Sequence, residues 1–156
     1  MKVGIGINQK DMQAIVVILN RILSDEYVLY TKTRKCHWNV VGMHFHDLHK
    51  FFESQYEELN EIVDDVAERA RALDGISFGT LAEFLKHASL KEQPGKNPPA
   101  KGMVSGLLAD HEAIIRKLRL DLETCAQKGD AGTSDFLTGL MEKHEKMAWM
   151  LRACVA

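Results

Sequence analysis

Five side chains of this 156-residue chain have the types and spacing to hold a metal ion: His37, His49, Glu53, Asp64 and Glu68. Four of the seven histidines, His37, His44, His46 and His49, crowd into residues 37–49, and the carboxylates follow. Imidazole combined with carboxylate suits iron, manganese or zinc better than a metal that seeks thiolate. A shell rich in negative oxygen also stabilises ferric over ferrous iron by simple electrostatics, which an iron-oxidising centre requires.

The spacing decides how such a shell could close. At 100° per residue, His49, Glu53, Asp64 and Glu68 project from one helix at about 0°, 40°, 60° and 100°, so they share a stripe. His49 with Glu53, and Asp64 with Glu68, are i,i+4 pairs, and each could grip one cation. The two pairs lie roughly 22 Å apart along the helix, too far to share an ion within one chain. A second, antiparallel copy across a two-fold axis near residues 58 and 59 would bring them together. Two such sites would then form per dimer, His37 adding an imidazole to each. A solvated stripe of surface charge is the competing account of the same carboxylates. His44 and His46 read as helix-start residues. His87, His111 and His144 read as structural or solvent-facing, with no comparable cluster around them.

Helices must position these groups. Met12, Ile15, Val16, Leu19, Ile22, Leu23 and Tyr30 give a helical stripe from roughly Gln9 to Arg34, and Val40-Val41-Gly42 breaks it. A second stripe runs from about His44 to Leu73 through Phe45, Leu48, Phe52, Tyr56, Leu59, Val63, Val66 and Ala70. Asp74-Gly75 stops it, with Gly75 as the expected cap. A connection of roughly 25 residues follows, long for a compact domain. Within it Thr80 and Glu83 form a capping box for "LAEFLKHA", and "QPGKNPP" forbids helix. A third long helix is expected from about Lys101 to Lys128. After the turn "GDAGTSD", with Thr133 or Ser134 as cap, "FLTGLMEKHEKMAWMLRACV" forms the fourth. Strand signals and tandem repeats are absent from the pattern. The expected fold is all-α: a single-domain four-helix bundle over residues 1–156, with a short extra helix in the crossover between the second and third long helices. A crossover that spans the bundle favours an up-down-down-up, ferritin-like topology, with any other four-helix bundle as the alternative.

Composition narrows the classes. Apolar residues make up 46% and charged residues 27%, and the net charge is −2 with neutral histidines, so the whole chain carries no basic signature for nucleic acid. Cys36, Cys125 and Cys154 are odd in number, distant from one another and outside any Cys-x-x-Cys motif, which fits reduced thiols in a cytoplasm. No run of about 20 apolar residues could span a membrane, and "MKVGIGINQKDM" lacks a signal-peptide core.

The stretch "HWNVVGMHFHDLHKFFE…DDVAERA" resembles the signature of the Dps family, the miniferritins, and "DFLTGLMEKHEKMAWMLRA" is similar to the family's closing segment. The resemblance covers nearly the whole chain. It implies a ferroxidase centre with His37, His49 and Glu53 from one subunit and Asp64 and Glu68 from its two-fold mate, and a hollow homo-dodecamer. Iron oxidation, preferably by hydrogen peroxide rather than oxygen, and storage of ferric mineral follow from it, with two irons per site and zinc or manganese as competitors. Trp38 resembles the family's tryptophan beside the centre. Many members carry Asp where this chain has Glu53, so the extra methylene shifts the carboxylate outward. Asp130 and Asp135, near the start of the last helix, are candidates for a cation-attracting pore at a three-fold axis, against turn chemistry and helix-dipole roles for the same residues. The resemblance also raises DNA binding and a nucleoid-protecting role. A Lys/Arg-rich tail usually carries such contacts. Here the N-terminal segment offers only Lys2 and Lys10, and "KTRK" at 32–35 reads as a helix C-terminal charge cluster, so DNA binding is the weaker expectation.

Overall fold

The computed structural model describes residues 3–156, which form α1 (Gln9–Asn39), α2 (Phe45–Ala72), α3 (Leu81–His87), α4 (Ala100–Gln127) and α5 (Ala131–Ala153). No strand occurs among the described residues, and Lys2 lies outside them.

Cross-helix pairs fix the topology. His37 and Tyr30 of α1 meet His49 and Tyr56 of α2. Asp11, Arg21 and Lys32 of α1 meet Lys128, Asp121 and Asp110 of α4. Glu58 and Arg69 of α2 meet Lys143 and Asp130 at α5. In each set one partner's numbers rise as the other's fall, so α1 is antiparallel to both α2 and α4, and α2 to α5. The order is therefore up-down-down-up, as the long crossover requires. Ile15, Leu19, Leu23 and Leu29, with Phe52, Leu59 and Val66, Leu107 and Leu118, and Leu137 and Leu151, fill the interior at 3% exposure or less.

Three ends differ from expectation. α1 continues past Arg34 to Asn39, and Val40 leaves it in an extended conformation. The run Lys35–Asn39 offers little apolar stripe, but it brings His37 into the last helical turn. At the end of α2 the positive φ of 62° belongs to Asp74, not Gly75. Gly75 is needed for a different reason: a Cβ there would fall against both methyls of Val16 and the Ala70 carbonyl oxygen. α5 is capped neither by Thr133 nor by Ser134. Asp130 is the cap, its carboxylate accepting the Thr133 backbone N–H at 2.9 Å, so the helix starts at Ala131. The Thr80–Glu83 capping box of α3 is present as expected.

Just after α3 the crossover is pinned by Asp25, which accepts the backbone N–H groups of Ser89 and Leu90 at 2.6 and 2.9 Å. Further along, Lys35 donates to the carbonyls of Gln93 and Lys96, and Lys32 to that of Lys91.

Candidate metal centre

The last turn of α1 and the first turns of α2 bring His37 and His49 face to face. Their rings stack with centroids 3.7 Å apart and planes 20° from parallel. Each ring also bonds the other's backbone: His37 Nδ1 lies 2.8 Å from the His49 carbonyl oxygen, and His49 Nδ1 lies 2.9 Å from that of His37. A carbonyl only accepts, so Nδ1 carries the proton in both rings. In the neutral ring this leaves the lone pair on Nε2, the tautomer a metal ligand needs, held by a backbone partner. The rings of Tyr56 and Phe45 close on the pair, Tyr56 edge-on to His37 at 5.2 Å and Phe45 stacked on His49 at 5.1 Å. Two reciprocal bonds and four rings thus orient two nitrogens before any ion arrives.

Glu53 follows His49 by one turn. Lys50 donates to its carboxylate at 2.6 Å, and this hydrogen bond, helped by the charge of Lys50 and the nearby imidazoles, holds Glu53 below the usual carboxylate range. Lys50 is itself largely exposed. An exposed pair of this kind is weak, so Lys50 can leave Glu53 at little cost.

Asp64 and Glu68 are exposed on the same helix, about 22 Å from the histidines. The chain brings His37, His49 and Glu53 to one end of α2 and leaves Asp64 and Glu68 at the other. Among the described residues, no three His, Cys, Asp or Glu side chains form a group able to hold a metal ion.

Of the two pore candidates, Asp130 turns inward. It is 3% exposed, and besides capping α5 it accepts from Arg69 at 3.0 Å and from the Thr133 hydroxyl. Its charge is thus committed to turn chemistry and to tying α2 against α5. Asp135 is exposed in the first turns of α5. Trp38 lies 63% exposed beside His37, with the Arg34 guanidinium 5.1 Å from its ring. The "KTRK" cluster has internal partners: Lys32 pairs with Asp110 at 2.5 Å, Arg34 stacks over Tyr30, Trp38 and Tyr56, and Lys35 holds the crossover. These charges fasten the fold. His44 sits at the N-cap position of α2 and His46 follows in its first turn, both exposed, as helix-start residues should be.

His111 and His144 are structural and not solvent-facing, but they are not isolated. Both are fully buried, with Nδ1 atoms 2.9 Å apart, and His144 Nε2 lies 2.9 Å from Oε1 of the equally buried Glu26. Burial pushes His111 well below the usual imidazole range, assisted by the charge of His144. The signal was present in the sequence. Glu26 falls between Leu23 and Leu29, His111 between Leu107 and Ile114, and His144 between Met141 and Met147, all at helical spacing on apolar stripes. His87, by contrast, is exposed against Phe78.

Comparison with known proteins agrees with this architecture. The ferritin-like domain model matches residues 16–156. An uncharacterised low temperature-induced protein of Nostoc sp. is 46% identical over 99% of this chain and 87% of its own length. DNA protection during starvation protein 2 of Bacillus anthracis is 37% identical over 89% of this chain and 94% of its own. The crystal structure of a Dps protein from Vibrio cholerae, described as a member of a broad superfamily of ferritin-like diiron-carboxylate proteins, superimposes with a TM-score of 0.94 at 30% identity, covering 99% of this chain and 97% of that one. With its up-down-down-up bundle and its histidine pair at the α1–α2 turn, the chain belongs to the Dps family of ferritin-like proteins.

Proposed function

We propose that this Dps protein oxidises ferrous iron at sites shared between two-fold-related subunits and stores the ferric product in a homo-oligomeric cage of twelve cytoplasmic chains. The observation that carries the reading is the half-built shell. His37 and His49 are locked in the metal-binding tautomer next to Glu53, while Asp64 and Glu68, on the same stripe, are too distant to complete it. An antiparallel copy of α2 supplies the missing carboxylates in both directions at once.

Iron is the substrate here. His37 and His49 would bind through Nε2, Glu53 would release Lys50 to bind, and Asp64 and Glu68 of the mate would bring the negative charge that favours the ferric state. Two ferrous ions give up one electron each; one hydrogen peroxide accepts both and, with two protons, leaves as two waters. Peroxide is the expected oxidant in preference to oxygen, and its use removes both reactants of hydroxyl-radical formation together. The longer reach of Glu53 sets the spacing of the ions. Zinc and manganese fit the same donors and should compete. Asp135 remains the pore candidate, a charge at the cage surface that would draw cations inward.

The test is the double substitution Asp64→Ala and Glu68→Ala, both on exposed positions. Expected is an intact particle of about twelve chains, by light scattering, that has lost fast peroxide-driven iron oxidation. Oxidation at the unsubstituted rate in that particle would refute the shared site.

A further inference from the structure

We infer that the cleft between α1, α4 and the crossover binds a small amphipathic monocarboxylate, its head on Lys35 and its apolar body on Met103 and Leu107. The cleft lies within one chain and uses none of the residues of the shared site.

The cavity has a volume of about 310 Å³. That is the lower end of the range small-molecule pockets occupy, so the ligand is small. Met103 and Leu107 of α4 stand one helical turn apart and are almost fully buried, so this part of the lining is an edge of the apolar core. Pro94 and Pro98 of the crossover add two apolar rings, and the methylene stems of Lys32 and Lys35 contribute the α1 wall.

A glycine keeps the space open. Gly102 and Gly106 both line the cavity from α4. A Cβ on Gly102 would stand 3.0 Å from the Pro98 side chain, so close packing accounts for that residue. A Cβ on Gly106 would meet nothing within 4 Å. Glycine inside a helix is less favourable than alanine, and no close contact explains it at 106. What it preserves is volume, since a longer side chain there would enter the cavity.

The charges select the head group. Lys32, Lys35, Lys96 and Glu92 line the cavity. Lys32 is paired with Asp110 at 2.5 Å, and Glu92 offsets one of the two remaining cations. Lys35 is half-buried and gives two of its three N–H donors to the carbonyls of Gln93 and Lys96, at 3.3 and 2.6 Å. Carbonyl groups orient an ammonium without neutralising it. One carboxylate on the third donor would neutralise it through a charge-assisted hydrogen bond, the stronger kind. A phosphate dianion would overshoot this balance, and a neutral amide would leave the ammonium without its countercharge.

The test uses the assembled, metal-free particle, with octanoate and its neutral isostere octanamide as probes. Calorimetry should show about one octanoate bound per chain, and octanamide at least about tenfold weaker. The methyl resonance of Met103 should shift as octanoate binds. Gly106→Leu fills the cavity from an exposed helical position and should abolish binding of both probes, while the particle and its iron oxidation stay intact. Lys35→Met should bring the two probes to within about twofold of each other. Absence of saturable octanoate binding overturns the proposal. So does equal affinity for the two probes in the unsubstituted particle, or octanoate binding that survives Gly106→Leu. None of these three outcomes needs a change at Lys35, so they decide even where Lys35→Met loosens the crossover. The probes bind without metal, so failure here and failure of the shared iron site are separately visible.

Discussion

The molecule contains two histidine pairs built across antiparallel helices, and they are satisfied in opposite ways. At the α1–α2 turn, His37 and His49 give their ring protons to each other's backbone carbonyl and keep Nε2 for a ligand. In the bundle interior, His111 and His144 meet ring to ring, and Nε2 of His144 confronts a buried carboxylate. The first pair is oriented by main-chain groups that no side-chain substitution removes. The second is oriented only by other side chains. Backbone-held donors can be lost one at a time with little harm to the fold, whereas side-chain-held donors in a dry interior fail together.

Substitutions at matching positions should separate the two pairs. His144→Ala strands Glu26 without its partner and should lower unfolding stability by about 3–5 kcal/mol, read by chemical denaturation. His49→Ala should cost less than about 1 kcal/mol by the same measurement, because the His37 ring still finds the carbonyl of residue 49. Its iron oxidation should nevertheless fall more than about a hundredfold, the loss of a direct metal ligand exceeding that of an outer-shell partner. Equal stability losses in the two variants would erase the distinction.

The histidine–carboxylate stripe on α2 was legible because helical spacing alone places His49, Glu53, Asp64 and Glu68 on one side. The buried cluster was overlooked because each of its members looks like an isolated exception on a different helix. Glu26, His111 and His144 converge only when α1, α4 and α5 pack, and nothing local couples residue 26 to residue 144. The same holds for Asp130. Three plausible caps stand within the turn before α5, and the choice falls on Asp130 because Arg69, distant in sequence, supplies its countercharge. The long helices and their topology were readable because periodicity and one long crossover suffice for them.

Asp130→Ala removes both the cap and the Arg69 pair, and should lower stability by about 1–2 kcal/mol while leaving iron oxidation rates unchanged. A variant that oxidises iron normally but admits it more slowly would return Asp130 to the entry path. A smaller effect is expected at the edge of the shared site. Lys50→Gln removes the competitor for Glu53 and should tighten ferrous or zinc binding by less than about fivefold, as exposed pairs are weak.

The thiols give the mildest contrast. Burial raises both Cys36 and Cys125 to a pKa of about 11, whereas Cys154 is exposed at the end of α5. At pH 8 each of these two is thiolate in roughly one part per thousand. A disulfide reagent should therefore label one thiol per chain rapidly at that pH, with labelling of the other two accelerating towards pH 11.

The pin at Asp25 bears on the order in which the chain assembles. The α1–α2 and α4–α5 hairpins close short loops and can zip locally, but the contacts from Asp25 to Ser89 and Leu90 span 64 and 65 residues. Closing so long a loop costs entropy that only an already packed α1 surface returns. Until α1 is packed the crossover has nothing to hold it, so residues 91–97, exposed throughout and outside any helix, are the stretch most open to a protease.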